Sequence, residues 1–594
     1  MLPHQIIDLF TITTIFFLVA CSNSESVDEF GIPVSDYAYE EGSQDTTYIK
    51  DTFTDFPPSG FYPKPFTILV PDNKPLNCEI RGFVPTKDSP QQKEIRIDST
   101  STVRCINFYD GSNTETIRTY IFEKKPTIPT IFITTDPNSL FDPDTGIYME
   151  GPNAEEKSPH YGANYWLDKE IPVFLEFAEA NTFTPTFSKY AGLEITGRYS
   201  RMKSKKSVAI TFREKYGSKR LNYPLFPNYP NLNTFKSIVL RNFGNNFGKD
   251  YIRDRLASSI SEGLGVDYQQ GRFVIVYYNG TYYGIHDMRE RSNEHYFETH
   301  YGMNHNNINL IKADYSVSSG SSDKYVALMN WIKNNKLENE ENYTYITTQI
   351  DINNYINYIQ TEIFANNWDW PGYNLKIWNC TNPQTPWKWF LYDLDQSFGY
   401  EKENVPNNVF EFFLEGDTRL TNTSKHTFLF QSLLKNEKFK ISFINRMAAL
   451  LQMNFGSQQI LSKIDNMMLE IQEEISRDQK RWSHSASAMN HELDKIKQNV
   501  IGRPDVIRQQ LQEFFKLGDT ATVTFSIIGN GQISVHNLPL NNLPLSVKFF
   551  NGFPVTITAE PQNGEKWLSW SDGNKKSTRT IYPGIDKEIT AIFE

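Results

Sequence analysis

The residue types that could do chemistry are concentrated in one stretch of the chain: Asn366-Asn367-Trp368-Asp369-Trp370-Pro371-Gly372-Tyr373-Asn374, and shortly after it Trp387-Lys388-Trp389-Phe390-Leu391-Tyr392-Asp393-Leu394-Asp395-Gln396-Ser397-Phe398-Gly399. Carboxylates and amides set among bulky aromatics are a means of holding polar groups at fixed positions beside an apolar wall. An acid, an amide five residues on and a later pair of acids suit phosphoryl transfer. That reaction needs one carboxylate to orient and deprotonate a hydroxyl, and an amide with a further carboxylate to hold Mg²⁺ against the phosphates. If Asp393-Leu394-Asp395 is extended, strand alternation puts both carboxylates on one side.

These residues have to be positioned by larger elements. The stretch follows a helical pattern over residues 352–366 and precedes a strand. Further helical patterns cover 251–261 and 325–334, and a long one runs over 438–515 with few Gly or Pro. Together with the mixed strands and helices that begin after the stiff Pro126-Thr127-Ile128-Pro129-Thr130 connector, they predict one large α/β domain over residues 130–517. On either side the texture is all-β. Residues 59–125 read as short alternating runs broken by Pro, Asp, Asn and Ser, and residues 520–594 alternate around Gly turns, so each is expected to be a small β module. The fold class expected is therefore multidomain α+β, a large mixed domain flanked by two small all-β modules.

Composition narrows the function. The chain has 594 residues with 42 Phe and 32 Tyr, ample for several packed cores. Its 59 basic residues against 70 acidic ones leave a net charge of −11, so it lacks the positive field that nucleic-acid backbones attract, and no nucleic-acid partner is expected. Mean hydropathy is −0.51. The apolar run LFTITTIFFLVA (9–20) has the length of a signal-peptide core and is too short for a comfortable membrane span. Leu18-Val19-Ala20-Cys21 resembles the bacterial lipobox, which implies removal of residues 1–20 and lipidation of Cys21. The polar, acidic residues 21–58 that follow cannot fold alone and read as a linker. The expected location is the cell envelope, as an outer-membrane lipoprotein held by the lipid at Cys21, with the outward or periplasmic face left open. In an exported chain Cys78 and Cys105, both in strand-like runs, are able to pair, and Cys380 stands alone. No Cys or His spacing points to zinc: His295 and His300 are five apart and miss the helical spacing of a metalloprotease pair.

The spacing of Asp369 and Asn374 matches that of Asp and Asn in the protein-kinase catalytic loop. With KKSVAITFREKYG (205–217), FKSIVLRNFGNN (235–246), YIRDRLASSI (251–260), VIVYYNGTYYGIHDMRERSNEHYF (274–297), NNWDWPGYN and WKWFLYDLDQSFG, residues 130–517 resemble the spore coat protein H (CotH) kinase family. The resemblance implies an atypical protein-kinase-like fold and phosphorylation of protein Ser and Thr with ATP and Mg²⁺. By carry-over, Asp369 would be the catalytic base, Asn374 with Asp393 or Asp395 the metal ligands, and Lys206, with Lys205 beside it, the phosphate anchor. Asp254 would be the acid that pairs with that lysine. Glu290 would be either a nucleotide-site residue or a scaffold acid paired with Arg289 or Arg291. No Gly-rich phosphate loop is found: Gly244-Asn245-Asn246-Phe247-Gly248-Lys249 has the wrong spacing for one.

The flanking modules carry resemblances of their own. Residues 59–125 resemble the Ig-like module found beside chitobiase and hexosaminidase domains. Residues 520–594 resemble a bacterial cell-surface repeat, in which Trp567 and Trp570 are expected to be core rather than a carbohydrate platform. They keep a second function open, a surface adhesion or glycan-binding lipoprotein whose kinase-like domain is an inactive scaffold, with glycan contact by the β modules. A glycosidase is not favoured, because no acid pair lies outside the kinase-like set.

Overall fold

The computed structural model describes residues 52–53, 55–70, 75–109, 114–400, 408, 410 and 423–594. The leader, Cys21 and most of the acidic linker lie outside the described residues.

At the N-terminal side, two sheets face each other. One holds Thr52–Phe53, Phe66–Leu69 and Glu94–Ile97, and the other Gly60–Phe61, Glu115–Ile121, Ser101–Ile106, Leu76–Ile80 and Gln91–Gln92. Alternation along the strands turns Phe66, Ile68, Ile95, Ile97, Val103 and Tyr120 into a common core. Cys78 and Cys105 are directly opposite in register, and a disulfide joins them.

Next comes a closed seven-stranded barrel, in the order Ile171–Ala178, Phe187–Thr196, Ser207–Thr211, Ser237–Arg241, Thr281–Glu290, Gly271–Tyr278 and Thr130–Thr134, the last pairing back onto the first. Every pairing is antiparallel except that of Gly271–Tyr278 with Thr130–Thr134. Ile131, Val173, Leu193, Ile210, Leu240, Val274 and Val276 belong to one core, while Phe132, Phe273, Ile275 and Tyr277 belong to another that is shared with the helices. This is why runs such as Ser207–Thr211 are buried at every position and show no alternation of polarity.

The second half of the large domain is built around the helix Ile352–Ala365. Asp351 caps its start by accepting the Asn354 N–H, Asn366 ends it in the left-handed conformation (φ 53°), and every residue from Asn354 to Ala365 is buried. A five-stranded sheet of Asp267–Tyr268, Lys388–Leu391, Leu375–Cys380, Ile308–Lys312 and Val317–Ser319 packs against it. The region expected as one long helical stretch is three helices, Glu437–Leu450, Ser457–Trp482 and Ala486–Phe515. The middle one lies along the barrel strand Thr281–Glu290. Gly284, at φ 86°, permits this approach, since a Cβ there would collide with the Asp478 carboxylate.

The chain ends in two four-stranded sheets, one formed by Leu545–Phe550, Thr520–Ile528, Glu588–Phe593 and Trp567–Trp570, the other by Leu538–Pro539, Gly531–Val535, Val555–Pro561 and Thr578–Ile581. Trp570 is buried between them, and Trp567 packs edge-on against Trp570 and Phe593 at 5.1 and 5.5 Å. Asn445 and Arg446 of the helix Glu437–Leu450 donate to the Pro554 and His536 carbonyls and hold this module to the large domain. Among the described residues no helix is long and apolar enough to cross a membrane.

Candidate functional site

Arg241, at the end of the barrel strand Ser237–Arg241, is the centre around which the acidic residues gather. Its Nη2 lies 3.0 Å from Asp254 Oδ2 and 3.0 Å from Asp395 Oδ2, and it also pairs with Asp393. Asp254 comes from the helix Arg253–Ser259. Its Oδ2 accepts from Arg289 Nη1 at 2.9 Å, and its Oδ1 accepts the Leu394 N–H at 3.1 Å. The two aspartates at 393 and 395 follow the hairpin formed by Leu375–Cys380 and Lys388–Leu391. The strand stops at Leu391 and Asp393 takes a left-handed conformation (φ 59°), so the segment is a turn. The expectation of an extended Asp-x-Asp is corrected: the two carboxylates meet because the backbone reverses, with the Leu394 N–H held by Asp254.

The loop after Arg241 completes the enclosure. Phe243 and Gly244 both have positive φ, and a Cβ on Gly244 would run into Asp395 and Arg241. The resulting turn aims the Asn245 N–H at Asp395 Oδ2 (2.9 Å) and the Asn245 Nδ2 at its Oδ1 (3.1 Å), while Asn246 Nδ2 donates to the Asp395 carbonyl (2.9 Å). This Gly-Asn-Asn turn is no phosphate loop, but it grips a carboxylate with the same kind of donors.

Asp369 and Asn374 flank a turn that follows the buried helix. Asn374 Nδ2 donates to Asp369 Oδ2 at 3.3 Å and to the Asp393 carbonyl at 2.9 Å, and Gln396 Nε2 donates to Asp369 Oδ2 at 2.6 Å. Asn374 has φ 50°, a conformation that Asn tolerates better than most residues. The acid, the amide and the later acid pair thus come together as the spacing suggested.

The electrostatics follow from the crowding. Burial opposes the charge on Arg241, but Asp393, Asp254 and Asp395 hold its pKa well above the ordinary value. Burial also pushes Asp254 up, yet Arg289 and Arg241 pull it below the usual carboxylate range. Asp395 goes the other way: burial, then the neighbouring Asp393 charge, raise it to about 7 against the pull of Arg241. Glu362 of the central helix has no cation partner among the described residues; burial lifts it to about 8, against the Asn367 amide at 3.1 Å and the Tyr358 hydroxyl. Lys376 borders the cluster. Its ammonium donates to Ser292 O and Oγ at 2.7 Å and lies 3.8 Å from the Tyr392 ring centre, and burial brings its pKa down to about 7.

Three carried-over assignments are corrected. Lys206 is not in the cluster: its Nζ donates to the Arg201 and Lys203 carbonyls at 2.7 and 3.2 Å, sits over Tyr165, and lines a separate open cavity of about 650 Å³ with Tyr148, Glu150 and His160. Lys205 is sealed, its Nζ bound to Asp478 and the Ile285 carbonyl. Asp254 accordingly pairs with arginines instead of a lysine. Glu290 is a scaffold acid, but its partners are the Gln270 N–H (2.9 Å) and His300 Nε2 (2.7 Å) rather than Arg289 or Arg291. Arg241, Asn245, Gln396, Lys376 and Glu362 were not singled out from sequence. Arg241 and Asn245 lie within the FKSIVLRNFGNN segment and Gln396 within WKWFLYDLDQSFG, and it is the fold that brings these two segments together.

The Asp393 carboxylate and the Asn374 side-chain oxygen are oxygen donors of the kind Mg²⁺ takes. Asp395 is less available, because both its oxygens already accept protein donors and its side chain is 2% exposed against 28% for Asp393. Arg241 Nε is buried and has no hydrogen-bond partner among the described residues.

A model of the family described as CotH kinase protein matches residues 193–507, more than half of the chain. Among solved structures, the chain is similar to the Helicobacter pylori proinflammatory kinase CtkA, at 13% identity over 52% of this chain and 95% of that one, with a TM-score of 0.26. No curated protein matches it.

Proposed function

The chain belongs to the CotH kinase protein family and carries its kinase-like domain, and on that premise we propose that the cluster around Arg241 transfers a phosphoryl group from ATP, with Mg²⁺, to Ser and Thr hydroxyls of a protein substrate. The observation that carries the reading is the fixed arrangement of Asp369, Asn374 and Asp393, in which one amide ties the acid at 369 to the turn that bears the acid at 393. Asp369 is the base. Two amide donors on its Oδ2 orient the carboxylate, which accepts the proton of the attacking hydroxyl. Asn374 and Asp393 are the residues that would hold Mg²⁺, and that ion supplies charge neutralisation on the phosphates. Asp395 positions Arg241 and the Asn245 turn. Arg241, in place of Lys206, is the cation that meets phosphate.

For the whole chain we propose export, lipidation at Cys21 and a place in the cell envelope, most simply the outer membrane. This is supported by the apolar block at 9–20 and the residues that precede Cys21.

The test is a thermal-shift titration of the full chain with ATP, with and without Mg²⁺, followed by transfer of labelled phosphate to envelope proteins. A nucleotide at a hundredfold excess over its Kd stabilises the native state by about 2.7 kcal/mol. A Mg²⁺-dependent shift that falls by about half in an Asp393→Asn variant is expected. No shift at millimolar ATP sinks the proposal.

One observation favours a second reading. Arg241 already provides positive charge where the acids converge, as it would in a scaffold that has given up the metal, and the flanking β modules would then carry an adhesive or glycan-binding role. Arg241→Ala separates the two. A catalytic Arg241 makes the variant lose transfer activity. A scaffold Arg241 makes it gain metal binding that the native chain lacks.

A further inference from the structure

Among the described residues, a group of ligating side chains also converges outside the acidic cluster, and it uses different chemistry. The helix Glu294–Tyr301 places His295 and Glu298 on one face, three residues apart. Gly302, left-handed at φ 66°, turns the chain back, and a short 3₁₀ turn brings His305 over the same face. His295 Nδ1 lies 3.0 Å and His305 Nδ1 3.4 Å from Glu298 Oε2, the two imidazoles are 4.5 Å apart between centres, and all three ligand atoms fall within 4.8 Å of one another.

We propose that His295, Glu298 and His305 form a binding site for a divalent transition-metal ion of the zinc class. Zinc sits about 2.0–2.2 Å from histidine nitrogen and carboxylate oxygen, so two ligands of a tetrahedral ion are about 3.3–3.5 Å apart. The His305-to-Glu298 distance already has that length, the His295-to-Glu298 distance is a few tenths of an ångström shorter, at hydrogen-bond length, and has to open slightly, and all three ligand atoms lie within 4.8 Å of one another. The other ring nitrogen of His295, Nε2, faces Glu294 Oε1 at 3.7 Å, an ion-pair contact longer than a hydrogen bond. Arg220 also donates to Glu298 Oε2, the oxygen that the two imidazoles face, so a bound ion shares that carboxylate with the guanidinium. The side chains of His295, Glu298 and His305 are 16, 30 and 36% exposed, so an ion can enter and a water can take the fourth position. Two imidazoles and one carboxylate select this class over Mg²⁺, which keeps the site distinct from the oxygen donors around Asp393.

The position gives the site a structural role. Arg220 adjoins the Leu221–Asn222 and Thr234–Phe235 hairpin beside the barrel, and Thr299 Oγ1 donates to the Thr234 carbonyl at 2.8 Å. His305 leads into Ile308–Lys312, which pairs with Leu375–Cys380, the strand that begins one residue after Asn374. A bound ion therefore ties the barrel side of the domain to the sheet that follows Asn374.

The experiment is a titration of Zn²⁺ into the tag-free full chain after chelator stripping, in competition with a chromophoric chelator, together with the visible spectrum of the Co²⁺-loaded chain. Expected are one equivalent bound, Co²⁺ bands of a four-coordinate ion, a rise in Tm with Zn²⁺ but none with Mg²⁺ alone at this site, and a loss of at least about 100-fold in zinc affinity for His305→Gln. Glu298→Gln, which preserves shape, should also weaken zinc binding while leaving the metal-free Tm near that of the native chain. Absence of saturable binding, an octahedral Co²⁺ spectrum, or zinc affinity unchanged in both variants overturns the proposal. Asp393→Asn should leave zinc affinity unaltered, so failure here and failure of the kinase reading are told apart.

Discussion

Lys205 and Arg241 stand on adjacent barrel strands or just before them, and each ends against aspartate, yet the charge around them is arranged in opposite ways. Lys205 has a single carboxylate partner, Asp478, and neither side chain has any exposed surface. Asp478 is satisfied by Lys205, the Ile285 N–H and the Tyr251 hydroxyl, and Phe243, Phe247 and Trp482 close over the ammonium. Arg241 meets Asp254, Asp393 and Asp395 at once, and a second guanidinium at the cluster, Arg289, is shared between Asp254 and Asp287. One cation balanced by one acid and sealed from water is a strut. An excess of acids, one of them partly exposed, is a place prepared for a further cation.

The comparison can be broken most sharply at Asp369. Asp369→Asn is expected to lower phosphate transfer by about 10²–10⁴-fold while unfolding in urea shifts by less than about 1 kcal/mol; retained activity would remove the site from catalysis. At the strut the expectation is reversed. Asp478→Ala leaves Lys205 buried without its counter-charge and should cost about 3–5 kcal/mol in urea unfolding, with the Lys205→Met, Asp478→Leu pair recovering most of the loss. A cost near zero would mean that the two cations are not different in kind. A smaller effect is expected at Asp393: changing it to Asn should weaken Mg²⁺-dependent ATP binding about tenfold, roughly 1.4 kcal/mol, and more than Asp369→Asn does. The opposite order in calorimetry would exchange base and ligand.

The smallest effect sharpens the picture from a third kind of acid, one with no cation partner among the described residues. Glu362 titrates at about 8 in the folded chain because it is buried, against about 4.3 when unfolded. Its contribution to stability is complete below the unfolded value and is lost as pH rises through the folded one, because only the unfolded state releases the proton in between. Glu362→Gln should therefore gain on the native chain by on the order of 1 kcal/mol between pH 5 and 6. A flat difference across that range would place a cation near Glu362.

What could be read from sequence was what is local. The Asp369 to Asn374 spacing survives folding because a single turn contains both residues, and the helix 352–366 was visible because an apolar pattern ran into Asn366. Arg241 was hidden for the opposite reason: it is brought to Asp395 by barrel closure, and nothing in either segment refers to the other. The misplacement of the anchor onto Lys206 has a similar cause. Two adjacent lysines before a strand face opposite ways, one into the seal against Asp478 and the other toward the Tyr165 cavity, and neither direction leads to the acids. His295 was weighed against His300, which instead stacks on Tyr296 and pairs with Glu290. Its actual neighbour, His305, is set by the turn at Gly302, which helical spacing does not describe.

The parallel seam of the barrel sets a timetable for the chain. Thr130 pairs with Ile275 and Ile133 with Tyr278, so the first strand, which finds one partner in Ile171–Ala178 about 40 residues on, waits for almost 150 residues of later sequence before its second partner arrives, and barrel closure must wait for that long loop. The family match begins at residue 193, inside the strand Phe187–Thr196. A fragment cut there would lack both Thr130–Thr134 and Ile171–Ala178 and would leave Gly271–Tyr278 as an open apolar edge, prone to pair with another copy. The unit that folds is thus larger than the unit that is recognised, and the smallest piece to express for any of these measurements begins before Thr130.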